Sequence, residues 1–433
     1  MLKKPCFNLT KHKLEYESVK EFSSSILEVP LSEKSILFFD VSRETEIKPD
    51  EPLSVKPNNL LKTGEKFLPF KDKPSKYITS GVTGKISSIN KFQSDYGKKY
   101  ISITVNKEKE EIVCDKFSKK SKEPSLANAS EFLQCIPGGI SENILSNTEE
   151  IKTLFVCGTD NDLFSVANQY IVSSKIEALK KGIEILKNIT GINNIILVVN
   201  KYLEQTALNA EIKTEVINSE YPSSLPKLIV KELLNIELPP DKSFIDIGVD
   251  FISAEAVAAI AQAYNTGKVP VDKLITFVKK DGSKLLAKAR IGTPIKNLCA
   301  ACDTAIDNND RLIIGGPMTG SAIYTDDYPI LNKTDAVIVQ AADNISLTSD
   351  YPCINCGTCV AACPARLSVN MIVRYLEAGL YEVADDEYDL SACIECGLCS
   401  YVCISKIPIF QYIKLGKYEL AKIKAKAAEE VDD

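Results

Sequence analysis

The chain has 433 residues, too many for one hydrophobic core, and its 45% apolar and 25% charged content is ordinary for globular domains. A net charge of −6 gives no reason to expect a nucleic-acid surface. No apolar run approaches the roughly 20 residues that cross a bilayer, and Met1–Cys6 has lysines but no apolar stretch after them, so no signal peptide is read there. The expectation is a cytoplasmic protein, with any attachment to the cytoplasmic membrane face made through partner subunits.

In chain order, residues 1–34 read as an irregular, polar extension. Over 35–113, short β-type runs at Ile36–Phe39, Tyr77–Ser80, Gly84–Asn90 and Tyr100–Val105 are separated by Pro, Gly, Asn and Asp, which predicts a small, mostly β domain. Lys116–Asn128 reads as a connector, with Lys116–Lys122 as a solvated loop. Residues 129–250 then alternate strand and helix. Thr153–Cys157, Asn194–Val199, Glu215–Ile217 and Phe244–Val249 read as strands, and Asp160–Leu186, Tyr202–Leu208 and Leu225–Leu234 carry helical periodicity. That alternation implies a parallel sheet with right-handed crossovers.

The helix Ala254–Tyr264 continues the alternation, and residues 265–345 change character. Strand-like runs follow at Lys273–Val278, Leu286–Arg290, Arg311–Gly315 and Ala336–Gln340, around one helix at Pro294–Ala305, which suits a small α+β module. From Ser346 come the cysteine motifs, a helix near Val369–Ala378, and a Lys/Ala/Glu-rich helix over Ile409–Glu429. The fold class is multidomain, α/β and α+β.

Fourteen cysteines suit either disulfides or metal ligation. Eight of them fall into two copies of one pattern, Cys353-x2-Cys356-x2-Cys359-x3-Cys363-Pro364 and Cys393-x2-Cys396-x2-Cys399-x3-Cys403. Three cysteines of such a loop hold three irons of a [4Fe–4S] cubane. The fourth reaches the other cluster, because the motifs fold about a pseudo-twofold. The expected ligand sets are Cys353, Cys356, Cys359 and Cys403 for one cluster, and Cys393, Cys396, Cys399 and Cys363 for the other.

Paired zinc sites would space their ligand pairs farther apart. Gly357 and Gly397 suit loops whose backbone must come close to inorganic sulfide, and Ile354, Val360, Ile394 and Leu398 are expected to keep the clusters dry. The second motif ends Cys403-Ile404, without the usual proline, which touches loop geometry more than ligation. Cys299-Ala-Ala-Cys302 lies in a predicted helix with no partner pair and reads as core. His12, the only histidine, sits between lysines and reads as exposed.

Several stretches resemble one family. Pro52-Leu53-Ser54-Val55, Leu61-Lys62-Thr63-Gly64-Glu65 and Val82-Thr83-Gly84-Lys85-Ile86 look like the barrel-sandwich segment of RnfC, the peripheral iron–sulfur subunit of ion-translocating Rnf electron-transport complexes. Arg290-Ile291-Gly292-Thr293-Pro294 and Gly315-Gly316-Pro317-Met318-Thr319-Gly320 are similar to segments of its β-grasp (SLBB) domain. The resemblance runs from about Leu31 through the eight cysteines and extends to relatives such as the cobalamin reductase of propanediol microcompartments. It implies a barrel-sandwich hybrid over 35–113, a Rossmann-like α/β domain over 129–250, an SLBB-like β-grasp domain over 251–345 and a helical dicluster ferredoxin domain over 346–433.

The family cradles FMN with a Gly-Gly-Ala-Gly-Phe-Pro-Thr loop and completes the flavin and nicotinamide pocket with an acidic turn. Here those places read Ile136-Pro137-Gly138-Gly139-Ile140-Ser141 and Gly158-Thr159-Asp160-Asn161-Asp162. Gly138, Gly139, Asp160 and Asp162 therefore mark a vestigial FMN/NADH site. Pro137 removes an amide donor and Ile140 is β-branched, so an ordinary turn is favoured over a flavin cradle.

The expected function is a single-electron-transfer subunit with two [4Fe–4S] clusters. It would lie between a soluble donor or acceptor and other subunits of a redox complex, membrane-embedded ones included. An FMN-containing NADH dehydrogenase and a docking scaffold stand as the alternatives.

Overall fold

The computed structural model describes residues 14–22, 25–41, 53–70, 77–93, 99–240, 242–346, 348–349 and 351–432. His12 and Cys6 lie outside them. The described chain gathers into two compact units. One is Tyr16–Ser219 with Phe244–Asp343; the other joins Glu220–Ser243 and Asn344–Asp433 with the stretch ending at Glu15.

The first unit begins with β1 (Leu27–Glu28), β2 (Lys34–Asp40), β3 (Leu60–Leu61), β4 (Lys66–Phe67), β5 (Ile78–Thr79), β6 (Gly84–Gln93) and β7 (Lys99–Lys107). β2, β7, β6 and β3 form an antiparallel sheet in that order, and β4 pairs with β5. Leu37, Ile86, Ile101, Ile103 and Val105 point into its core while their neighbours face outward. This two-residue period is what made these strands visible in the sequence. The lysine run expected as a loop is a short helix, Lys116–Lys120. Phe117 buries itself in the core and the flanking lysines stay exposed, so one aromatic anchor orders the segment.

β8 (Thr153–Cys157), β9 (Ile195–Asn200), β10 (Thr214–Ile217) and β11 (Val249–Ser253) build a wholly parallel sheet in the order β10-β9-β8-β11. Every residue of β9 is buried, as expected for a parallel strand covered on both faces. Helices Ala167–Ser174, Ile176–Thr190 and Ala254–Thr266 contribute Val172, Leu179, Leu186, Val257 and Ile260 to the same core.

Two sequence expectations shift here. The helix read from Asp160 starts only at Ala167, because Asp160 and Asp162 spend their carboxylates on backbone amides of the preceding loop and the helix start. The strand read over Phe244–Val249 begins at Val249 instead. Gly248 (φ 72°) takes the left-handed conformation that closes a 3-10 turn, which an extended run could not tolerate.

β12 (Asp272–Val278), β13 (Lys284–Arg290), β14 (Arg311–Ile314), β15 (Ser321–Ile323) and β16 (Ala336–Gln340) complete a six-stranded sheet, ordered β1-β13-β12-β16-β14-β15. β1 comes from the stretch read as irregular and pairs parallel to β13. Helix Ile295–Ala301 covers this sheet, with Cys299 and Cys302 buried among Ile275, Phe277 and Leu298. Burial pushes both thiols up to about 12, the signature of inert core cysteines. A single buried cation links this sheet to Ala254–Thr266. Lys273 Nζ donates to Glu255 Oε2 (2.5 Å), Leu274 O (2.8 Å) and Asp335 Oδ1 (3.0 Å), which uses all three of its donors.

The second unit is helical: Pro226–Leu234, Thr358–Ala362, Val369–Glu377, Tyr381–Asp386, Leu398–Tyr401 and Ile409–Asp432. Its core includes Leu367, Val369, Ile372 and Val373, and, forty positions after Leu367 and Val369, Ile407 and Ile409. The two long helices meet where a Cβ on Gly416 would lie 2.4 Å from Leu376 Cδ2. Residues 376 and 416 are counterparts under the same forty-residue offset. A pseudo-twofold contact of this kind brings one residue against its own equivalent, and glycine opposite leucine is what lets the helices close. Among the described residues, no helix is long and apolar enough to cross a membrane.

Candidate metal centre

The two cysteine loops fold alike, position by position. Asn355 and Glu395 have φ of 56° and 57°, Gly357 and Gly397 75° and 74°, and Arg366 and Lys406 58° and 54°. Positive φ is uncommon outside glycine, so three matched pairs at a constant offset mark one backbone path used twice. The closing turns match too. Cys363 N donates to Val360 O and Cys403 N to Ser400 O, both at 3.2 Å, while Arg366 N and Lys406 N donate to the carbonyls of Cys363 and Cys403. Ile404 thus replaces the usual proline without altering the turn.

The fourth cysteine of the second motif lies beside the first motif. Cys353, Cys356, Cys359 and Cys403 line one recess with Ile354, Gly357, Val373, Ile407 and Ile409. Burial raises the Cys359 thiol to about 11, and proximity to Cys353, Cys356 and Cys403 adds to it. On the other side, burial pushes Cys396 up to about 12, reinforced by Cys393 and Cys363. Cys399 is raised by burial and then by Cys393 and Cys396. Cys403 thus shares a recess with the first motif, Cys363 lies among the neighbours of Cys393 and Cys396, and Cys359 also acts on Cys399 from the first motif. An all-thiolate donor set is the soft chemistry that iron–sulfur clusters take. Among the described residues, no three His, Cys, Asp or Glu side chains close around a point as a single metal ion would need.

The surroundings of the two groups differ. Leu398 is buried at the second loop, whereas Ile354, which lines the first recess, is 62% exposed. Tyr221 Oη donates a buried 2.6 Å hydrogen bond to Cys396 O. Lys417 Nζ donates to Cys393 O (2.7 Å) and Glu395 Oε1 (2.8 Å), and Cys393 Sγ accepts from Glu395 N at 3.4 Å. Lys227 also lies beside this loop. Burial, and then the Lys417 ammonium, lower it, while Cys393 and Glu395 pull the other way. Sequence reading missed Tyr221, Lys227 and Lys417. Tyr221 lies 175 positions from Cys396, and only the forty-residue repeat would have drawn attention to Lys417.

The residues marked for flavin sit at the carboxyl edge of the parallel sheet, where strand order turns back between β8 and β11, the usual place for a ligand. Gly138 N donates to Asn332 O (2.8 Å) and Gly139 N to Ile136 O (3.0 Å), so neither amide faces a ligand. Gly138 O accepts from Ser253 Oγ, which also caps Ala254–Thr266 through Ala256 N. Glu255 N, in the same helix turn, donates to Asn168 Oδ1.

Asp160 accepts from Asn168 N and Gln169 N, and burial raises it to about 7 against those hydrogen bonds. Asp162 accepts from Leu163 N, Met318 N, Thr319 N and Thr319 Oγ1, which pins the 315–320 turn. The two glycine amides that a phosphate cradle would use are thus bonded within the protein, whereas Thr159 Oγ1, beside Asp160, is buried without a hydrogen-bond partner.

Residues 345–404 match the family model described as a 4Fe-4S dicluster domain. Over a longer stretch the chain is 26% identical over 294 residues to the RnfC subunit of the ion-translocating oxidoreductase complex of Buchnera aphidicola, covering 65% of this chain and 62% of that one. The corresponding protein of Rhodobacter capsulatus is 25% identical, covering 57% and 50%, and that of Pasteurella multocida 28%, covering 66% and 35%. The chain is a relative of RnfC. It spans 62% or less of the length of these three relatives. A crystal structure of an NAD+-reducing [NiFe]-hydrogenase in the H2-reduced state shares 11% identity and a TM-score of 0.45, over 71% of this chain and 62% of that one. This RnfC relative is thus a mixed α/β, multidomain chain with a C-terminal 4Fe-4S dicluster domain.

Proposed function

We propose that this RnfC relative is an electron-transfer subunit of a larger ion-translocating or reductase complex, passing single electrons through two [4Fe–4S] clusters. The observation that carries the reading is the crossed grouping of thiols, above all Cys403 in one recess with Cys353, Cys356 and Cys359. Those four hold one cluster, and Cys393, Cys396, Cys399 and Cys363 hold the other. When bound, such clusters supply one-electron chemistry without bond making, so no catalytic side chain is assigned. The chain's own part is to fix two sets of thiols side by side, to limit water, and to present the exposed first loop, with Tyr351 and Ile354 at its surface, toward partners.

The remaining assignments belong to the same proposal. Residues 1–34 are an extension, 35–113 a barrel-sandwich hybrid, 129–250 a Rossmann-like domain, 251–345 an SLBB-like β-grasp domain and 346–433 the dicluster domain. Gly138, Gly139, Asp160 and Asp162 serve the scaffold and not FMN or NADH, since their polar groups are bonded within the protein. Partner subunits, membrane-embedded ones among them, supply any attachment to a membrane.

Anaerobically purified protein is expected to carry about eight irons and about eight acid-labile sulfides per chain, without stoichiometric FMN and without bleaching by NADH alone. Zinc in place of iron, or iron near four, would overturn the two-cluster assignment. Bound FMN or rapid bleaching by NADH would promote the dehydrogenase alternative. In Cys363→Ala the EPR signal of the Cys393-centred cluster is perturbed first, and a loss confined to the other cluster would refute the crossing.

A further inference from the structure

The dicluster unit is symmetric in backbone and asymmetric in charge. In the second loop the Lys417 ammonium is held 2.7 Å from the Cys393 carbonyl and 2.8 Å from the Glu395 carboxylate, and its side chain is only 22% exposed. Lys227, half-buried on the helix Pro226–Leu234, stands beside the same group. Two ammonium groups and one carboxylate leave a net positive charge against the loop of Cys393 and Cys396. Forty positions earlier the scaffold repeats without that charge. Lys417 corresponds to Glu377, which is exposed, and Glu395 to Asn355, whose Oδ1 accepts only a neutral hydrogen bond from Asn370 Nδ2 (2.7 Å).

An iron–sulfur cluster bound by four thiolates becomes more negative on reduction, so a fixed positive charge nearby favours the reduced form. Net charge, hydrogen bonding and solvent exposure are the protein's levers on that potential. The two loops share their backbone path and its turn hydrogen bonds, so the terms that differ are charge, exposure and a few hydrogen bonds to the cysteines, Tyr221 to Cys396 O and Glu395 N to Cys393 Sγ on one side and Thr358 Oγ1 with Cys356 Sγ on the other. Burial of Cys396 and Cys399 works against the added electron, and the ammonium groups work for it. A charge held by two hydrogen bonds in a partly buried site is screened far less than one in water.

We propose that Lys417 is a tuning residue: it raises the reduction potential of the cluster held by Cys393, Cys396, Cys399 and Cys363, and leaves the Cys353-centred cluster untouched. Glu395 works against it from the same ion pair. The inference rests on the two-cluster reading above, and that reading has its own measure in the iron content.

The test is an EPR-monitored redox titration of the full chain purified anaerobically, with iron counted on each preparation. Wild type gives two reduction waves. Lys417→Gln moves one wave to more negative potential and leaves the other in place, and Lys417→Arg restores both. Glu395→Gln moves the same wave to more positive potential. A residue that merely braced the loop would not give opposite signs for the two halves of one ion pair. Unmoved waves, two waves moving together, or the same direction of shift in Lys417→Gln and Glu395→Gln would each overturn the proposal. Should Lys417→Gln lose iron, the sign of the shift in Glu395→Gln decides alone. Iron near four in wild type would instead remove the two-cluster reading on which it rests.

Discussion

Replacing Lys273 with methionine asks whether a buried cation holds the larger unit together. The side chain is 0% exposed, Glu255 beside it 6% and Asp335 36%. Burial works against the ammonium, but the two carboxylates outweigh burial and raise Lys273 above the ordinary lysine range. Methionine keeps the length and apolar stem of the side chain, so the loss is mainly electrostatic. Glu255 would be left buried with Leu274 N as its remaining partner at Oε1 (2.8 Å).

Breaking one side of a buried pair costs about 3–5 kcal/mol. Asp335 is exposed enough for water to take over its share, which favours the low end. With a urea dependence of about 3 kcal/mol per M, the unfolding midpoint falls by about 1–2 M. The chain has no tryptophan, so far-UV circular dichroism is the probe. Lys273→Met combined with Glu255→Leu removes both charges and recovers much of the loss. A fall below about 0.3 M in the single variant, or a double variant less stable than the single one, would refute the reasoning.

Asp160 supplies a pH test. Its folded pKa of about 7 lies above the roughly 3.9 of an unfolded aspartate, so folding favours the protonated form. The contribution is full below about pH 4 and is lost as pH rises toward about 7. Asp160→Asn stays neutral, so its stability relative to wild type improves by on the order of 2–4 kcal/mol between pH 4.5 and pH 8. Urea midpoints at both pH values that differ by the same amount would count against a buried, neutral Asp160. Tyr221→Phe removes the 2.6 Å donor to Cys396 O and strands a buried carbonyl, at about 1–2 kcal/mol. It should hasten chelator-driven bleaching of visible absorbance, and bleaching at the wild-type rate would show that Tyr221 does not brace the second loop.

The parts of this protein legible in its sequence are those written at short range. β8 (Thr153–Cys157) is legible to its ends because a mostly apolar run between polar breaks has one sensible fate in a parallel sheet. The cysteine loops are legible because their spacing is that of cluster-binding loops. What stayed hidden depends on a distant partner. β1 (Leu27–Glu28) has too few residues to show a period, and only the edge of β13 makes it a strand. Phe117 orders a lysine-rich segment through contacts with Phe132 and Tyr264. Lys273 looks like any strand lysine until Glu255 and Asp335 are placed around it. Tyr221, Lys227 and Lys417 are ordinary side chains whose importance lies in a carbonyl or a charge that the chain reaches only after folding.

The same logic shows why the sheet edge would keep glycines and acids even with no flavin to hold. A Cβ on Gly138 would lie 2.4 Å from Ser253 Oγ and 2.7 Å from Ala256 N, so any larger residue would push the loop off the helix start it covers. A Cβ on Gly316 would lie 2.0 Å from the Asp162 carboxyl carbon, and Asp162 in turn binds the Met318 and Thr319 amides. Packing and satisfaction of buried backbone groups are therefore enough to demand glycine and aspartate here. In sequence a cradle for a ligand and a loop that fills its own cradle look the same, since both need small residues and acceptors at the switch point of the sheet. They part only over where the amides point. In this chain Gly138 N and Gly139 N point at Asn332 O and Ile136 O, the arrangement of a loop that fills its own cradle.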